Sequence, residues 1–132
     1  MQNISSTPTI IAVSKTFKIE YISNLIDHGH LHFGENKVQE AVEKWGKLKE
    51  IRKDLKLHLI GKLQTNKVKF AIKLFDYIHS LDNEKLAIKI SSAQKDLSRD
   101  VKLFIQVNIG DEEQKSGIKE KELFEFYKFC LD

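Results

Sequence analysis

Lys15 is the residue in this sequence whose position best suits covalent chemistry. It directly follows TIIAVS, residues 9–14, an apolar stretch with the composition of a buried β-strand. A lysine at the end of such a strand can be partly desolvated, which favours the neutral amine that attacks carbonyl groups. The pattern predicts either Schiff-base chemistry at Lys15 or a lysine that marks where a strand reaches the surface.

Polar residues also follow the apolar stretch HLHF, residues 30–33. Gly34 comes next, where the lack of a side chain permits a ligand to approach the backbone. Glu35 and Asn36 then begin a helical pattern, a place where acidic and capping residues are favoured for structural reasons alone. Asn36 is therefore a candidate ligand contact that a helix start accounts for equally well.

Three lysines crowd the start of the third helical pattern. Lys62, Lys67 and Lys69 lie near a helix amino terminus, where positive charge opposes the helix dipole. This local conflict indicates either an anionic partner or a solvated basic loop.

The five histidines are candidate metal ligands by residue type. They are His28, His30, His32, His58 and His79. Those within HGHLH alternate, as side chains on one face of a strand do, which can suit a metal ion. Because Gly29 interrupts that face and no cysteine or carboxylate cluster completes a ligand set, metal binding is not expected.

Two hydrophobic periods alternate along the chain. Short apolar runs typical of buried strands occur at TIIAVSK, HLHFGE, LKLHLIG, FDYIHS and VKLFIQVNIG. Apolar residues at helical spacing are Ile19, Ile22 and Ile26; Val38, Ala41, Val42, Trp45 and Leu48; Leu86, Ile90, Ala93 and Leu97; and Leu123, Phe126, Tyr127 and Cys130. Gly29 is placed to end the first helix, Thr65 to cap the third, and Asp82 or Asn83 to cap the fourth.

Strand and helix alternate five times without a hairpin signal, which predicts parallel strands joined by right-handed crossovers. A doubly wound nucleotide-binding sheet would carry a glycine-rich loop after its first strand, and SKTFKIE contains no glycine. A parallel α/β barrel of the (β/α)8 type is therefore favoured, with chemistry at the carboxyl ends of its strands. The residues expected there form a polar ring at that end of the barrel: Ser14, Lys15, Gly34, Glu35, Asn36, Gly61, His79, Ser80 and Asn108.

Composition excludes several classes of protein. With 132 residues, 41% hydrophobic content and one proline, the chain is expected to fold as a single domain over residues 1–132, or as part of one. Its 22 basic and 19 acidic residues are mixed along the chain, so no nucleic-acid partner is expected. A single cysteine, Cys130, and the lack of a leader or a long apolar run predict a cytoplasmic protein without a membrane partner.

Five ordered motifs carry a resemblance to a known family. AVSKT, HFGENKVQEAVEKW, LHLIGKLQTNKVK, IHSLDNEKLA and FIQVNIGDEEQKSGI together resemble the pyridoxal phosphate homeostasis proteins, relatives of the N-terminal barrel domain of alanine racemase. The resemblance runs from about Thr9 to Ile118. It implies that Lys15 holds pyridoxal 5′-phosphate as a Schiff base, in a carrier of the cofactor that has no established reaction of its own.

The resemblance also implies roles for residues of the loop GDEEQKSG. Glu112 and Lys115 match an acidic residue and a second lysine of the family pattern. Lys115 could receive the aldehyde from Lys15, since one amine can displace another from an imine; an ordinary turn lysine is the alternative. Cofactor-free pyridoxal phosphate enzymes are the recipients that a carrier would serve. This chain departs from the family at Phe17 and Lys18, where a second lysine and a proline often occur.

Length sets the main expectation about completeness. A barrel of this kind needs eight βα units, and its phosphate site usually lies after the seventh and eighth strands, so about five of eight units are expected here. The sequence therefore predicts the N-terminal part of such a barrel, truncated before the phosphate site, with a complementary C-terminal fragment as a possible partner. Two alternatives stay open: a fragment of a racemase-like or decarboxylase-like pyridoxal phosphate enzyme, and an interaction module that binds no cofactor.

Overall fold

Five parallel strands form the central sheet in the computed structural model, which describes residues 7–110 and 116–132. The described ranges contain seven strands, of which the last two form a separate pair: β1 (Ala12–Val13), β2 (His32–Glu35), β3 (Lys56–Leu59), β4 (Tyr77–Leu81), β5 (Lys102–Ile105), β6 (Val107–Asn108) and β7 (Ile118–Lys119). The first five lie in the order β1-β2-β3-β4-β5, so each βα unit is added beside the preceding one. This order is that of a barrel wall, and the predicted fold, an incomplete parallel barrel, is confirmed.

Helices follow the strands as the periodicity predicts. They are α1 (Ile19–Asp27), α2 (Val38–Ile51), α3 (Val68–Leu74), α4 (Glu84–Leu97) and α5 (Leu123–Leu131). A single 3-10 turn leads into α3 and another into α5. None of the helices in the described ranges has the length and apolar content that crossing a membrane requires.

The core lies between the sheet and its helices. Phe33, Leu57 and Ile78 are fully buried, and the Phe33 ring lies 5.0 Å from the ring of Trp45 on α2. Because side chains alternate between the two faces of a strand, the residues flanking these positions must point away from the helices. The sheet therefore has one face that packs the core and one that carries polar and aromatic side chains.

Several local predictions can be compared with the structure. Gly29 adopts a left-handed φ of +92° just beyond His28, the residue that ends α1, as predicted for a glycine that terminates a helix. Asn83 caps α4, because its Oδ1 accepts a hydrogen bond from the backbone N–H of Leu86 at 2.8 Å. The prediction for Thr65 is wrong: it is the first residue of the 3-10 turn, and no side chain caps that turn. Tyr127, expected on the packed face of α5, is 51% exposed.

The stretch VKLFIQVNIG, predicted as one strand, is divided into β5 and β6. Gln106 lies between them, and its backbone N–H donates to the Leu81 carbonyl at 2.8 Å. Beyond it β6 leaves the main sheet and pairs in parallel with β7. The whole stretch is rich in apolar and β-branched residues. Its composition therefore does not indicate where pairing with β4 ends and pairing with β7 begins.

Candidate functional site

A tightly held turn carries Lys15 beyond the end of β1. Lys15 is exposed. Thr16 adopts a left-handed φ of +67°, which is unfavourable for a residue with a branched side chain. Its backbone N–H donates to Oε1 of Glu40 on α2 at 2.8 Å, and the Phe17 N–H donates to the Ser14 carbonyl at 3.2 Å. These bonds fix the direction in which the chain leaves β1 and therefore the position of Lys15.

A buried polar network supports this turn from beneath. Oε2 of Glu35, which is fully buried, accepts hydrogen bonds from Oγ of Ser14 at 2.6 Å, Nζ of Lys44 at 2.9 Å and Nε1 of Trp45 at 2.9 Å. Lys44 also donates to the Ser14 carbonyl at 2.7 Å. The network joins the ends of β1 and β2 to α2.

Glu35 therefore differs from its predicted position. It is the last residue of β2 and points into the helix layer, whereas the sequence suggested a helix start in the polar ring. Ser14 and Ser80 are buried as well, so they do not contribute to an accessible ring. The ring prediction is wrong for these three residues, because alternation along a strand sends every second side chain to the helix face.

Asn36 lies at the end of β2, beside the end of β3. Its backbone carbonyl and its side chain crowd Gly61, since a Cβ atom added there would overlap the carbonyl oxygen and lie 2.9 Å from Oδ1. Val13 pairs with Gly34 in the β1–β2 ladder, so Lys15 and Asn36 both lie two residues beyond the same rung. Asn36 thus remains a candidate contact at the same edge of the sheet as Lys15.

A cavity of about 290 Å³ opens next to Asn36. Lys62 and Lys67, two of the three crowded lysines, line it together with Lys37. Lys69 does not line this cavity, and sequence reasoning missed Lys37. Three cations at the carboxyl edge form a suitable environment for an anionic group.

The remaining candidates, Glu112 and Lys115, lie outside the described residues. Further along the chain, Gly117 is anchored by its backbone N–H, which donates to Oδ2 of Asp82 at 2.9 Å. Asp82 directly follows β4, so this anchor lies at the same edge of the sheet as Asn36.

Three histidines from adjacent strands form a row on the sheet face opposite the helices. Nδ1 of His32 lies 2.9 Å from Nε2 of His58, and Nδ1 of His58 lies 2.9 Å from Nε2 of His79. Tyr77 stacks on His58 with ring centroids 4.2 Å apart, and Phe104 stacks on His79 at 4.6 Å. A neutral imidazole donates through one nitrogen and accepts through the other, so the tautomers of the three rings are coupled.

Sequence reasoning missed this histidine row. The alternation in HGHLH concerns a single strand, whereas the row needs the register that brings three strands together. In the described ranges, no group of three or more histidine, cysteine or acidic side chains is arranged to hold a metal ion.

The histidine row should make the stability of the fold depend on pH. Burial, followed by the charges of His79 and His32, lowers the pKa of His58 from 6.5 to about 4. Between the two pKa values, the unfolded chain therefore binds more protons at His58 than the folded chain does. The contribution of neutral His58 to stability is fully present above about pH 6.5 and decreases as the pH falls. We expect a loss of up to about 2 kcal/mol between about pH 7 and pH 5, measured by urea unfolding.

Carboxylates also titrate near the lower end of this pH range. Comparison with a His58→Gln variant therefore isolates the contribution of His58. The variant should lose less stability on acidification than the parent, while His28→Gln, at an exposed position, should behave like the parent. Parallel pH profiles for His58→Gln and the parent would contradict the prediction. They would show that cationic His58, donating to both neighbours, compensates for its burial.

Parallel strands in sequence order, helices on one face and an exposed lysine beyond the first strand together define the class of incomplete (β/α) barrels. The chain belongs to the alanine racemase N-terminal domain family, whose sequence model matches residues 1–132. The resemblance inferred from the five motifs is thereby confirmed.

Relatives and solved structures agree with this family. The chain is 37% identical over 123 residues to the pyridoxal phosphate homeostasis protein of Pasteurella multocida (strain Pm70), covering 93% of this chain and 53% of that protein. It is 39% identical over 118 residues to the protein of the same name from Escherichia coli (strain K12), covering 89% and 50%. The chain thus spans about half the length of the curated relatives it matches.

Among solved structures, PipY of Synechococcus elongatus PCC7942 with pyridoxal phosphate bound is 36% identical, with a TM-score of 0.79, covering 95% of this chain and 60% of that one. Alanine racemase of Clostridium difficile 630 has a TM-score of 0.68 at 15% identity, covering 92% and 32%. At that identity the second likeness shows a shared fold alone.

Proposed function

We propose that this chain binds pyridoxal 5′-phosphate through a Schiff-base link to Lys15 and serves pyridoxal phosphate homeostasis as a carrier, not as an enzyme. The observation that carries the proposal is the exposed Lys15 on a rigid turn at the carboxyl edge of the sheet. The cofactor-bound PipY structure and the names of the curated relatives support it.

The residues at this edge fit the cofactor. Pyridoxal 5′-phosphate supplies an aldehyde that condenses with a primary amine and releases water. Lys15 is accessible and forms no hydrogen bond or ion pair with any other described residue, so its amine is available. In place of the phosphate-binding loops that barrels of this kind carry after their seventh and eighth strands, Lys62 and Lys67 would supply positive charge for the phosphate, and Asn36 would supply a polar contact beside them.

Further parts of the proposal rest on the family likeness. Lys115 is proposed to accept the cofactor from Lys15 with Glu112 beside it, for delivery to cofactor-free enzymes in the cytoplasm. Residues 1–132 are proposed to act as one domain.

A complementary polypeptide is also proposed as a partner, because the relatives are about twice as long. The exposed side chains of Val13 on β1 and Phe104 on β5, at the two edges of the sheet, are where such a polypeptide would continue the barrel.

Selective trapping of the cofactor tests the role of Lys15. After incubation with pyridoxal 5′-phosphate and reduction with borohydride, we expect the pyridoxyl group mainly on Lys15, as measured by peptide mapping with mass spectrometry. Total labelling should fall to near background in Lys15→Ala. Any exposed lysine reacts slowly with an aldehyde, so the position of the label is the informative result.

Lys18→Ala is the matched control, because Lys18 is also exposed and belongs to the same connection between β1 and α1. It should be labelled like the parent. Label spread evenly over the lysines, or unchanged total labelling in Lys15→Ala, would contradict the proposal. Either result would show that Lys15 does not form the Schiff base selectively.

A further inference from the structure

A second basic cavity lies at the opposite end of the sheet from Lys15. It has a volume of about 480 Å³ and lies between α2 and α3, where Lys56 begins β3 and Asp76 precedes β4. Five cationic side chains line it: Lys49, Lys53, Lys56, Lys73 and Arg99. We refer to this cavity as the basic groove. The strands are parallel, so the amino ends that border it are remote from the carboxyl edge where Lys15 lies.

Asp76 organises the inner wall of the basic groove. Its Oδ2 lies 3.0 Å from Nζ of Lys49 and accepts a hydrogen bond from the Leu57 N–H at 2.9 Å. Its Oδ1 lies 3.7 Å from Nη2 of Arg99. One carboxylate thus positions two cations, which leaves the inner wall with an excess of positive charge.

The remaining cations of the groove form no close ion pair within the described ranges, and among them only Lys56 is attracted to a nearby carboxylate, that of Asp54. Lys53, Lys56 and Lys73 form no ion pair with any described residue, and Glu50 is the only other described acidic residue that lines the cavity. Nε of Arg99 is buried without a hydrogen-bond acceptor in the described part of the chain. The Arg99 side chain as a whole is 35% exposed and lines the groove, so its guanidinium contributes positive charge there although Nε itself is enclosed.

An aromatic ring adjoins these charges. Phe70 on α3 lines the groove and is 52% exposed, although a large apolar side chain is normally buried. The volume lies within the range typical of small-molecule sites. Charge on one side and an exposed ring on the other suit a ligand that joins a phosphate to an aromatic ring.

We propose that the basic groove binds a phosphorylated aromatic small molecule of the nucleotide type, with its phosphate at Arg99, Lys53 and Lys73 and its ring against Phe70. Such a site is separate from the edge that carries Lys15, and it would give the protein a second ligand independent of the cofactor. The proposal does not depend on the proposed function.

Titration of the full chain with ADP, followed by amide NMR and calorimetry, tests this site. We expect the largest shifts at residues lining the groove, and weaker binding of pyrophosphate and of adenosine than of ADP. Neutralising two exposed cations, in Lys53→Gln/Lys73→Gln, should weaken ADP binding by about tenfold. Phe70→Ala should weaken ADP binding and leave pyrophosphate binding unchanged.

Two controls distinguish binding in the basic groove from binding elsewhere on the chain. Lys47→Gln/Lys85→Gln removes the same charge from exposed positions outside the groove and should bind ADP like the parent. Lys15→Ala should also retain ADP binding, whatever the result for the cofactor. No ADP binding, equal losses in the two double variants, or pyrophosphate binding as tight as ADP binding would each overturn the proposal.

Discussion

Replacing Glu35 by alanine should lower the free energy of unfolding by about 3 kcal/mol, because the change removes the nearest anionic partner of a buried cation and leaves it only Glu40, at 3.8 Å. Lys44 is only 9% exposed and lies 2.9 Å from the Glu35 carboxylate. The hydroxyl of Ser14 and the indole N–H of Trp45 would lose the same acceptor. Urea or thermal unfolding of the purified variant measures the loss.

Two further variants give this prediction its controls. Glu35→Gln keeps an oxygen acceptor for Ser14 and Trp45 while removing the charge beside Lys44, so it should be less destabilising than alanine. Glu43→Ala removes an exposed glutamate from the same helix, α2, and should change stability little. A Glu35→Ala protein as stable as Glu43→Ala would show that the buried network does not hold β1 and β2 to α2.

The network also has a consequence for the proposed cofactor chemistry. Ser14 precedes Lys15 and donates a hydrogen bond to Glu35. A variant that remains folded but lacks Glu35 therefore loses one contact that positions the turn carrying Lys15. We expect such a protein to label Lys15 less selectively than the parent, even where total labelling is unchanged.

Gly61→Ala should destabilise the fold by about 3 kcal/mol or more, since the added methyl group meets backbone and not a movable side chain. The new Cβ would overlap the Asn36 carbonyl oxygen and lie 2.9 Å from the carbonyl carbon. The ends of β2 and β3 would have to separate at the edge where the candidate site lies. Chemical unfolding gives the loss of stability.

Gly46→Ala is the matched control for this substitution. Gly46 lies within α2, and nothing in the described part of the chain is within 4 Å of the position that its Cβ would occupy. Alanine there should stabilise the protein by up to about 1 kcal/mol, because glycine is unfavourable within a helix. Equal stability of the two alanine variants would contradict the close approach of Asn36 to Gly61.

Much of the fold can be predicted from local sequence features. The alternation of strand and helix periods, without hairpin signals, correctly predicts five parallel strands in sequence order. Gly29 and Asn83 are identifiable as helix-terminating and helix-capping residues because those roles depend on a few neighbouring residues. The position of Lys15 beyond the first strand follows from the same local pattern.

The interior of the site depends on tertiary structure. The Glu35 network joins residues up to 30 positions apart, and the histidine row requires the register of three strands. Strand alternation leaves open which face meets the helices, so Glu35 looks accessible from the sequence and is buried in the fold.

The sequence by itself thus determined the type and order of the elements and the lysine at the end of the first strand, because these depend on periodicity and neighbouring residues. Only the tertiary structure decided which polar side chains are buried, which histidines touch, where β6 leaves the sheet and where the cations of the basic groove converge. Those features arise from contacts between residues distant in sequence, which no local pattern encodes.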